Sequence, residues 1–483
     1  MSESDAPGRP RPLCVDLDGT LIATDILWES VLLLVKRRPW KLFALPFWLA
    51  GGRANLKRRV CEHARPSPEA LPYRSAVLSF IEDARRDGRS IHLVTASDQQ
   101  IADRIAAHLG VFDEVVGSDG QRNLKASVKR AYLDEKFGPG GFDYLGDSAA
   151  DLGIWKLSGR ALTVNGSTST IRRAKTSGEV REVYTRPRLG LRPWVKALRP
   201  HQWAKNVLLF VPAVLAHRYT DIPLMLQVLL AFFAFSFCAS SVYVANDLLD
   251  LEADRQHRTK RKRPFAAGVL SIPAGILLGA GALAVGVGIA LLALPTEFLL
   301  VLIGYLVLTS VYTVYLKQKL LVDVITLALL FTYRVLAGGV AASVEVSFWL
   351  LAFSLFFFTG LAFVKRYSEL AALPEKNLDR VPGRNYGVSD LEVVKSFGPS
   401  CGVAAVLVMC LYIHSPEVTE LYQREQILYL IAPVLLYWVG RIWFLAGRNQ
   451  LDDDPVVFAI RDRISLLAGA VVAGIVVVAR FGW

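Results

Sequence analysis

Residues 241–268 read SVYVANDLLDLEADRQHRTKRKRPFAAG, and the change of character within that stretch decides how the chain is built. An apolar run of membrane-span length ends there in Asn246, Asp247, Asp250 and Asp254. Asn246, Asp250 and Asp254 recur at i, i+4 and i+8, and Asp247 adds i+3 and i+7 neighbours, so one helix face can carry all four. Ionisable groups at the edge of a bilayer read as functional by default. Clustered carboxylates repel one another unless a cation sits among them, and hard oxygen ligands suit Mg²⁺ bridging a diphosphate. The cations that follow, with Arg255, Lys260 and Arg261 as candidates, can bind further phosphate oxygens. The plainer alternative is a solvated helix end whose acids and bases pair on the surface.

Outward from this stretch the chain is strongly apolar. Its 483 residues are 53% hydrophobic and only 20% charged, with a net charge of +12 and a mean hydropathy of +0.36. Such a balance excludes disorder and argues against an ordinary soluble enzyme. Nine candidate spans follow one another at about 205–219, 223–245, 269–293, 297–315, 320–341, 346–364, 397–413, 426–446 and 464–481, predicting an all-α nine-helix transmembrane bundle. Loop cations cluster on one side: Arg255 to Arg263, Lys317 and Lys319, Lys365 to Lys395 (Lys376 included), and Arg441 to Arg463. The opposite side offers only Arg218, Arg424 and Arg480. By the positive-inside rule the basic loops face the cytoplasm and the C-terminus lies outside. Much of the +12 is then a topology signal, and no nucleic-acid partner is needed to explain it. The first residues, MSESDAPGRPRP, are polar and Pro-rich and lack the pattern of a secretory signal, so the expectation is a cytoplasmic N-terminal domain. The five cysteines form no CxxC pair, which suggests neither a disulfide framework nor a zinc site.

Before the bundle the pattern changes to strand–helix alternation. LCVDL, SIHLVTA, FDEVVGS, FDYLGDS and ALTVNG read as strands, with helical stretches SAVLSFIEDARRDG, DQQIADRIAAHLG and SVKRAYLDEKFG between them. That alternation predicts a doubly wound parallel sheet, whose ligands bind beyond the carboxyl ends of the strands. Polar residues fall at those ends: Asp16 and Asp18 in DLDGT, Thr95 in LVTAS, Asp147 and Asp151 in GDSAAD, with Lys129 opening a helix. D-x-D-G-T, a Ser/Thr, a Lys and G-D-x-x-x-D, in that order over about 150 residues, resemble the haloacid dehalogenase (HAD) superfamily. The resemblance implies an α/β, Rossmann-like phosphatase with a helical cap. Asp16 would be the nucleophile that forms an aspartyl phosphate, and Asp18 the general acid and base. Thr95 and Lys129 would hold the phosphoryl oxygens. Asp16, Asp147 and Asp151 would form the Mg²⁺ shell. Lys125 competes for the lysine role, but the family's K-x-x-x-L pattern favours Lys129. The domain is expected over 1–175, its cap over about 25–90, a linker over 176–200 and the bundle over 201–483. The cap includes VLLLV, KRRPWK and LFALPFWLAGG, which suit either a packed cap helix or a segment resting on the membrane interface.

N-D-x-x-D-x-x-x-D in a polytopic chain resembles the UbiA superfamily of intramembrane prenyltransferases, nine-helix bundles with two Asp-bearing motifs. The resemblance implies that Asn246, Asp247, Asp250 and Asp254 hold Mg²⁺, with Asp250 and Asp254 central to catalysis. The second motif, LKQKLLVDVITLALLFTYRVLAGGVA, departs from the aromatic-acceptor pattern: it has one Asp, Asp323, but adds Lys317, Lys319 and Arg334. Together with LRPHQWAKNVLLFVP and FVKRYSEL it looks like the decaprenyl-phosphate phosphoribosyltransferase branch. That likeness implies phosphoribosyl pyrophosphate as donor, a polyprenyl phosphate lipid as acceptor and Mg²⁺ in both domains. Arg199, Gln202, Lys205, Lys365, Arg366 and Tyr367 then join the substrate-binding candidates, each with less weight than the Asp motif. The implied protein is bifunctional and sits in a bacterial plasma membrane: it transfers 5-phosphoribosyl to the lipid, then removes the 5-phosphate, supplying cell-wall arabinan precursors. The alternative is a prenyltransferase using prenyl diphosphate and an aromatic or other acceptor, beside a phosphatase of separate or lost activity. Isoprenoid length and oligomeric state, homo-oligomers included, stay open.

Overall fold

A computed structural model describes residues 10–176, 179–185, 190–373, 379–381, 384–415, 418, 421–451 and 455–481. Lys376, one of the predicted loop cations, lies outside them. The chain divides into two compact units, and the division is not linear. The first comprises Met1–Leu198 and Val244–Leu278, the second Arg199–Tyr243 and Gly279–Trp483.

The first unit is built on a parallel sheet of order β3-β2-β1-β4-β5-β6. Its strands are β1 (Leu13–Val15), β2 (Ile91–Asp98), β3 (Glu114–Ser118), β4 (Asp143–Gly146), β5 (Arg160–Val164) and β6 (Val180–Tyr184). The five expected strands are all present, and every pairing is parallel. Helices cover both faces because β1, β2 and β4 are apolar on both sides, the pattern of strands buried in an α/β layer. One core gathers Leu13, Val15, Leu93 and Ile101, the other Cys14, Val94, Phe142 and Trp155. β6 was not expected: VREVY falls inside the stretch read as linker. It closes one edge of the sheet, where Arg181 and Glu182 stay exposed, so its composition resembles a polar connection.

Between β1 and β2 the chain leaves the sheet for a helical insertion. It starts with α1 (Ile26–Arg37), whose cap Asp25 accepts hydrogen bonds from the Leu27 and Trp28 amides. It continues through Pro39–Ala44, Leu45–Ala50 and Arg53–His63. Residues 244–278, expected to belong wholly to the bundle, pack with this unit. Val244, Leu248, Leu251, Phe265 and Ile272 share a buried cluster with Ala197, against which Leu32 of α1 and Trp194 pack.

Among the described residues eight helices are long and apolar enough to cross a membrane, from Ile222–Leu249 to Arg463–Phe481. The stretch predicted at 205–219 as a further span departs from this. It belongs to a 3₁₀ segment, Pro200–Phe210, followed by the short α-helix Val211–Leu215. A 3₁₀ helix rises about 2 Å per residue against 1.5 Å in an α-helix, so this element reaches further than its α content suggests. In the second unit Val322–Ala342 is the most buried of the eight helices. Gly338 there lets the backbone at Leu209 approach, since a Cβ would collide with the Leu209 carbonyl.

Candidate functional site

The first site lies at the carboxyl ends of β1, β2 and β4. The Asp16 amide donates to the Leu145 carbonyl, tying the residue after β1 to β4. Gly19 takes φ +73°, and a Cβ on it would strike the Asp147 carboxylate. That left-handed residue therefore folds DLDGT back toward GDSAAD. One carboxylate oxygen from each of Asp16, Asp147 and Asp151 lies within 4.8 Å of the other two. Lys129 Nζ, 3% exposed, sits 2.9 Å from Asp16 Oδ1 and donates to Tyr144 Oη at 3.0 Å. Tyr144 Oη in turn donates to Asp151 Oδ1 at 3.2 Å. Asp151 also accepts from the Ser148 amide and hydroxyl, which fixes its rotamer.

Too few cations balance these carboxylates. Burial, then the charges of Asp16 and Asp151, push the Asp147 carboxyl up to about 8. A hard divalent ion would remove that penalty, and three convergent carboxylates are the donor set it needs, so the residues fit Mg²⁺. Asp18 is held apart, accepting from the Ile26 amide at 2.9 Å and the Ser97 hydroxyl at 2.6 Å. Burial and the charge of Asp25 push its carboxyl up to about 7, near the value suited to proton transfer at neutral pH.

Thr95 is fully buried at the predicted place on β2, its hydroxyl accepting from the Ser97 amide at 3.0 Å. Two residues of this site escaped the sequence reading. Ser97 is the partner of Asp18, two positions beyond the threonine. Lys57, from the insertion helix Arg53–His63, donates to the Ala96 carbonyl at 2.5 Å and to Asn123 Oδ1 at 3.3 Å. Burial lowers its pKa, while the charges of Asp18 and Asp25 oppose that shift. Nothing in ANLKRR separates Lys57 from the surface cations beside it.

The second carboxylate set is arranged differently. The long helix ends at Leu249, Asp250 stands at the N-cap position of the short helix Leu251–Gln256 without a side-chain capping bond, and each of Asp247, Asp250 and Asp254 meets a cation. Asp247 and Asp254, each 3% exposed, converge on one atom, Arg263 Nη1, at 3.1 and 2.6 Å. Asp250 Oδ1 accepts from Lys36 Nζ of α1 at 2.6 Å. Among the described residues these acids form no three-carboxylate group. Asp247 and Asp254, both paired with Arg263 Nη1, nevertheless offer hard oxygen donors of the kind Mg²⁺ would take. The predicted phosphate ligand Arg255 is instead committed to structure. It grips Glu29 of α1 through both Nη atoms, at 3.1 and 2.6 Å, and donates to the Ala70 and Ala266 carbonyls. Asn246 lies one turn before Asp250 and accepts its amide, while Lys260 and Arg261 stay exposed on a 3₁₀ turn.

In the second unit Asp323 is fully buried. It meets Arg366 Nε at 3.1 Å, Arg384 Nη1 at 3.0 Å and the Tyr386 hydroxyl at 2.7 Å. Glu369 joins both arginines, yet among the described residues the buried Nη2 of Arg366 has no hydrogen-bond partner. Arg334, expected on substrate, donates to Asn206, Leu330 and Tyr305 and lies against the rings of Phe235, Tyr305 and Phe331. Its planar head is therefore used in packing. Lys205 lies over Phe331 and Lys319 over Tyr315, while Lys317 and Lys365 are half-buried.

Comparison with known proteins agrees with this two-part build. The model of the UbiA prenyltransferase family matches residues 207–467, and that of haloacid dehalogenase-like hydrolases matches residues 13–155. An uncharacterized protein of Sinorhizobium fredii, y4nM, is 41% identical over 98% of this chain and 92% of its own length. The decaprenyl-phosphate phosphoribosyltransferase of Mycobacterium tuberculosis is 38% identical over 184 residues, which cover 36% of this chain and 59% of that protein. Among solved structures, a UbiA homolog from Archaeoglobus fulgidus bound to GPP and Mg²⁺ aligns over 59% of this chain and 99% of that one, at 16% identity and a TM-score of 0.45.

Proposed function

The chain belongs to the UbiA prenyltransferase family, with a HAD-like hydrolase domain ahead of the bundle, and from that premise we propose that it makes a polyprenylphosphoryl-ribose in two steps. The bundle transfers 5-phosphoribosyl from phosphoribosyl pyrophosphate to a polyprenyl phosphate, and the hydrolase domain then removes the 5-phosphate. By the positive-inside rule the loop charges support a hydrolase domain on the cytoplasmic face of a bacterial plasma membrane and a C-terminus outside.

In the first step an oxygen of the lipid phosphate attacks the anomeric carbon while the bond to pyrophosphate breaks. Asp247, Asp250 and Asp254, with Asn246, receive the diphosphate end. Lys205, Lys317, Lys319, Lys365 and Arg366 are the candidates that hold the remaining phosphates. In the second step Asp16 attacks the 5-phosphate and becomes an aspartyl phosphate, and Asp18 gives its proton to the departing ribose oxygen. Asp18 then takes a proton from the water that hydrolyses the acyl phosphate. Lys129 and Thr95 orient the phosphoryl oxygens, and Ser97 keeps the Asp18 carboxyl aimed. Bound Mg²⁺ would supply charge neutralisation of the phosphoryl or diphosphate group, held by Asp16, Asp147 and Asp151 in one domain and by the Asp247–Asp254 set in the other.

One observation carries the coupling of the two steps. Helix α1 of the hydrolase domain carries Lys36 to Asp250 and Glu29 to Arg255, so the first Asp motif packs as part of the hydrolase unit. Two activities held together on one membrane face raise the effective concentration of one site's product at the other. The likeness to the phosphoribosyltransferase of Mycobacterium tuberculosis supports the choice of donor. Membranes given polyprenyl phosphate and radiolabelled phosphoribosyl pyrophosphate test the proposal. Wild type should yield the dephosphorylated lipid-linked ribose, and Asp16→Asn should accumulate its 5-phosphate. Incorporation from labelled prenyl diphosphate instead, or no 5-phosphorylated lipid in the variant, would overturn it.

A further inference from the structure

Residues 30–61 contain eight lysines and arginines and no acidic residue. Within this stretch no side chain from Val35 to Arg53 is fully buried, although KRRPWKLFALPFWLAGGR is largely apolar. The segment is nevertheless well fixed on one side. Leu45 and Trp48 pack against Leu33, Leu34 and Ala64, Asn55 donates to the Trp48 carbonyl at 2.9 Å, and the Trp48 ring meets His63 edge-on. Pro39 and Pro46 start its two short helices.

The other side is uncovered. Trp40 is 64% exposed, Phe43 81%, Phe47 79% and Leu49 50%. Trp40 and Phe43 stand at i and i+3 of the 3₁₀ helix Pro39–Ala44, where side chains eclipse, and Phe47 and Leu49 follow on the next short helix. Arg37 and Arg38 precede them, Lys41 lies between, and Arg53 follows. Isolated exposed apolar residues are ordinary, but four large ones within residues 40–49, three of them aromatic, mark an interaction surface.

We propose that this patch is a membrane-interface anchor: Trp40, Phe43, Phe47 and Leu49 enter the headgroup and upper acyl region of an anionic leaflet, and the flanking cations sit among its phosphates. Aromatic rings with an apolar body and surrounding Arg and Lys suit that boundary. The occupant is lipid because the same chain carries eight helices of membrane length, so a bilayer is always within reach. An acid-free basic segment also complements anionic headgroups. The inference does not depend on which diphosphate the bundle uses.

The test uses the full chain, with Cys401→Ala and Cys410→Ala, in nanodiscs of three parts phosphatidylcholine to one part phosphatidylglycerol. A bimane label is placed on Phe43→Cys or, as a water-exposed control, on Glu82→Cys. Nitroxide at a shallow acyl position should quench the label at position 43 about threefold more than the control, and aqueous iodide should quench it less, as for a group in the interface. Arg38→Gln with Lys41→Gln, or removal of phosphatidylglycerol, should reduce the nitroxide effect. Quenching at position 43 that matches the control would put the patch in water and overturn the proposal. Protection from both quenchers would show a protein surface covering it, and overturn it equally. Quenching indifferent to both charge changes would overturn the part assigned to the cations.

Discussion

Removing Glu29 should loosen the hydrolase unit more than any exposed ion pair could. The Glu29 and Arg255 side chains are 3% and 8% exposed, and their guanidinium–carboxylate contact is bidentate. Glu29→Met leaves Arg255 with the Ala70 and Ala266 carbonyls but, among the described residues, no ion-pair partner. Breaking one side of a buried pair costs about 3–5 kcal/mol, mostly the penalty of the stranded charge. For a unit of this size each kcal/mol moves the midpoint by about 2–4 °C, so a loss of roughly 6–20 °C is expected. Glu29→Met/Arg255→Met, with no charge left behind, should regain most of it. Cys14 and Cys61, 0% and 2% exposed, report the unfolding of this unit. In a background of Cys238→Ala, Cys401→Ala and Cys410→Ala, a fluorogenic thiol reagent followed against temperature gives the midpoint in detergent. A Glu29→Met shift under about 2 °C, or single losses that simply add in the double variant, would refute the pair as a structural tie.

Lys129→Met should lower the turnover of 5-phosphate hydrolysis by about 10²–10³-fold, as expected when a preorganised phosphoryl-binding charge is lost; Lys125→Met should change it far less, and steady-state kinetics on both settle which lysine serves. Chelator-treated protein should lose stability as pH rises from about 4 to about 8. Burial raises both Asp18 and Asp147 toward 7–8 in the folded state, so the native form holds more protons than the unfolded one across that window. Added Mg²⁺ should flatten the profile, and a stability that instead climbs with pH in chelator would contradict the electrostatic account. Asp323→Asn should destabilise the second unit by about 3–5 kcal/mol, since among the described residues Arg366 and Arg384 would keep Glu369 alone as a counter-charge. An unchanged detergent unfolding midpoint would count against that network.

The fold was legible where local chemistry and global packing agree. LCVDL and FDYLGDS are apolar on both faces, and their terminal aspartates have no use in a core, so they mark the strand ends as a site. The membrane helices were legible for the same reason, since long apolar runs leave few alternatives. Strand β6 was missed because a sheet edge needs no apolar alternation on both faces. Helical spacing placed Asp247, Asp250 and Asp254 on one face, but spacing says nothing about what lies opposite. Glu29, Lys36 and Arg263 are 9 to more than 200 residues away from the acids or the arginine they meet. For the same reason Arg255 and Arg334 looked like phosphate ligands: an arginine that packs against a distant carboxylate or ring has the same local sequence as one that waits for substrate.

The two carboxylate sets of the first unit meet the same repulsion by different means, and the difference bears on how each would take a cation. Beside Asp16 and Asp151, burial pushes the Asp147 carboxyl up to about 8, with Lys129 paired to Asp16, so a divalent ion entering there would displace a proton from Asp147. At Asp247, Asp250 and Asp254 the charge is already met by Arg263 and Lys36. A metal ion entering there must displace side chains, and it becomes favourable only if the displaced cations find new anions. A diphosphate arriving with the metal supplies those anions. Under the proposed two-step function, the hydrolase site would take its ion alone, whereas the first Asp motif would take metal and diphosphate together. That pairing keeps Lys36, on α1, answerable to whatever occupies the transferase motif.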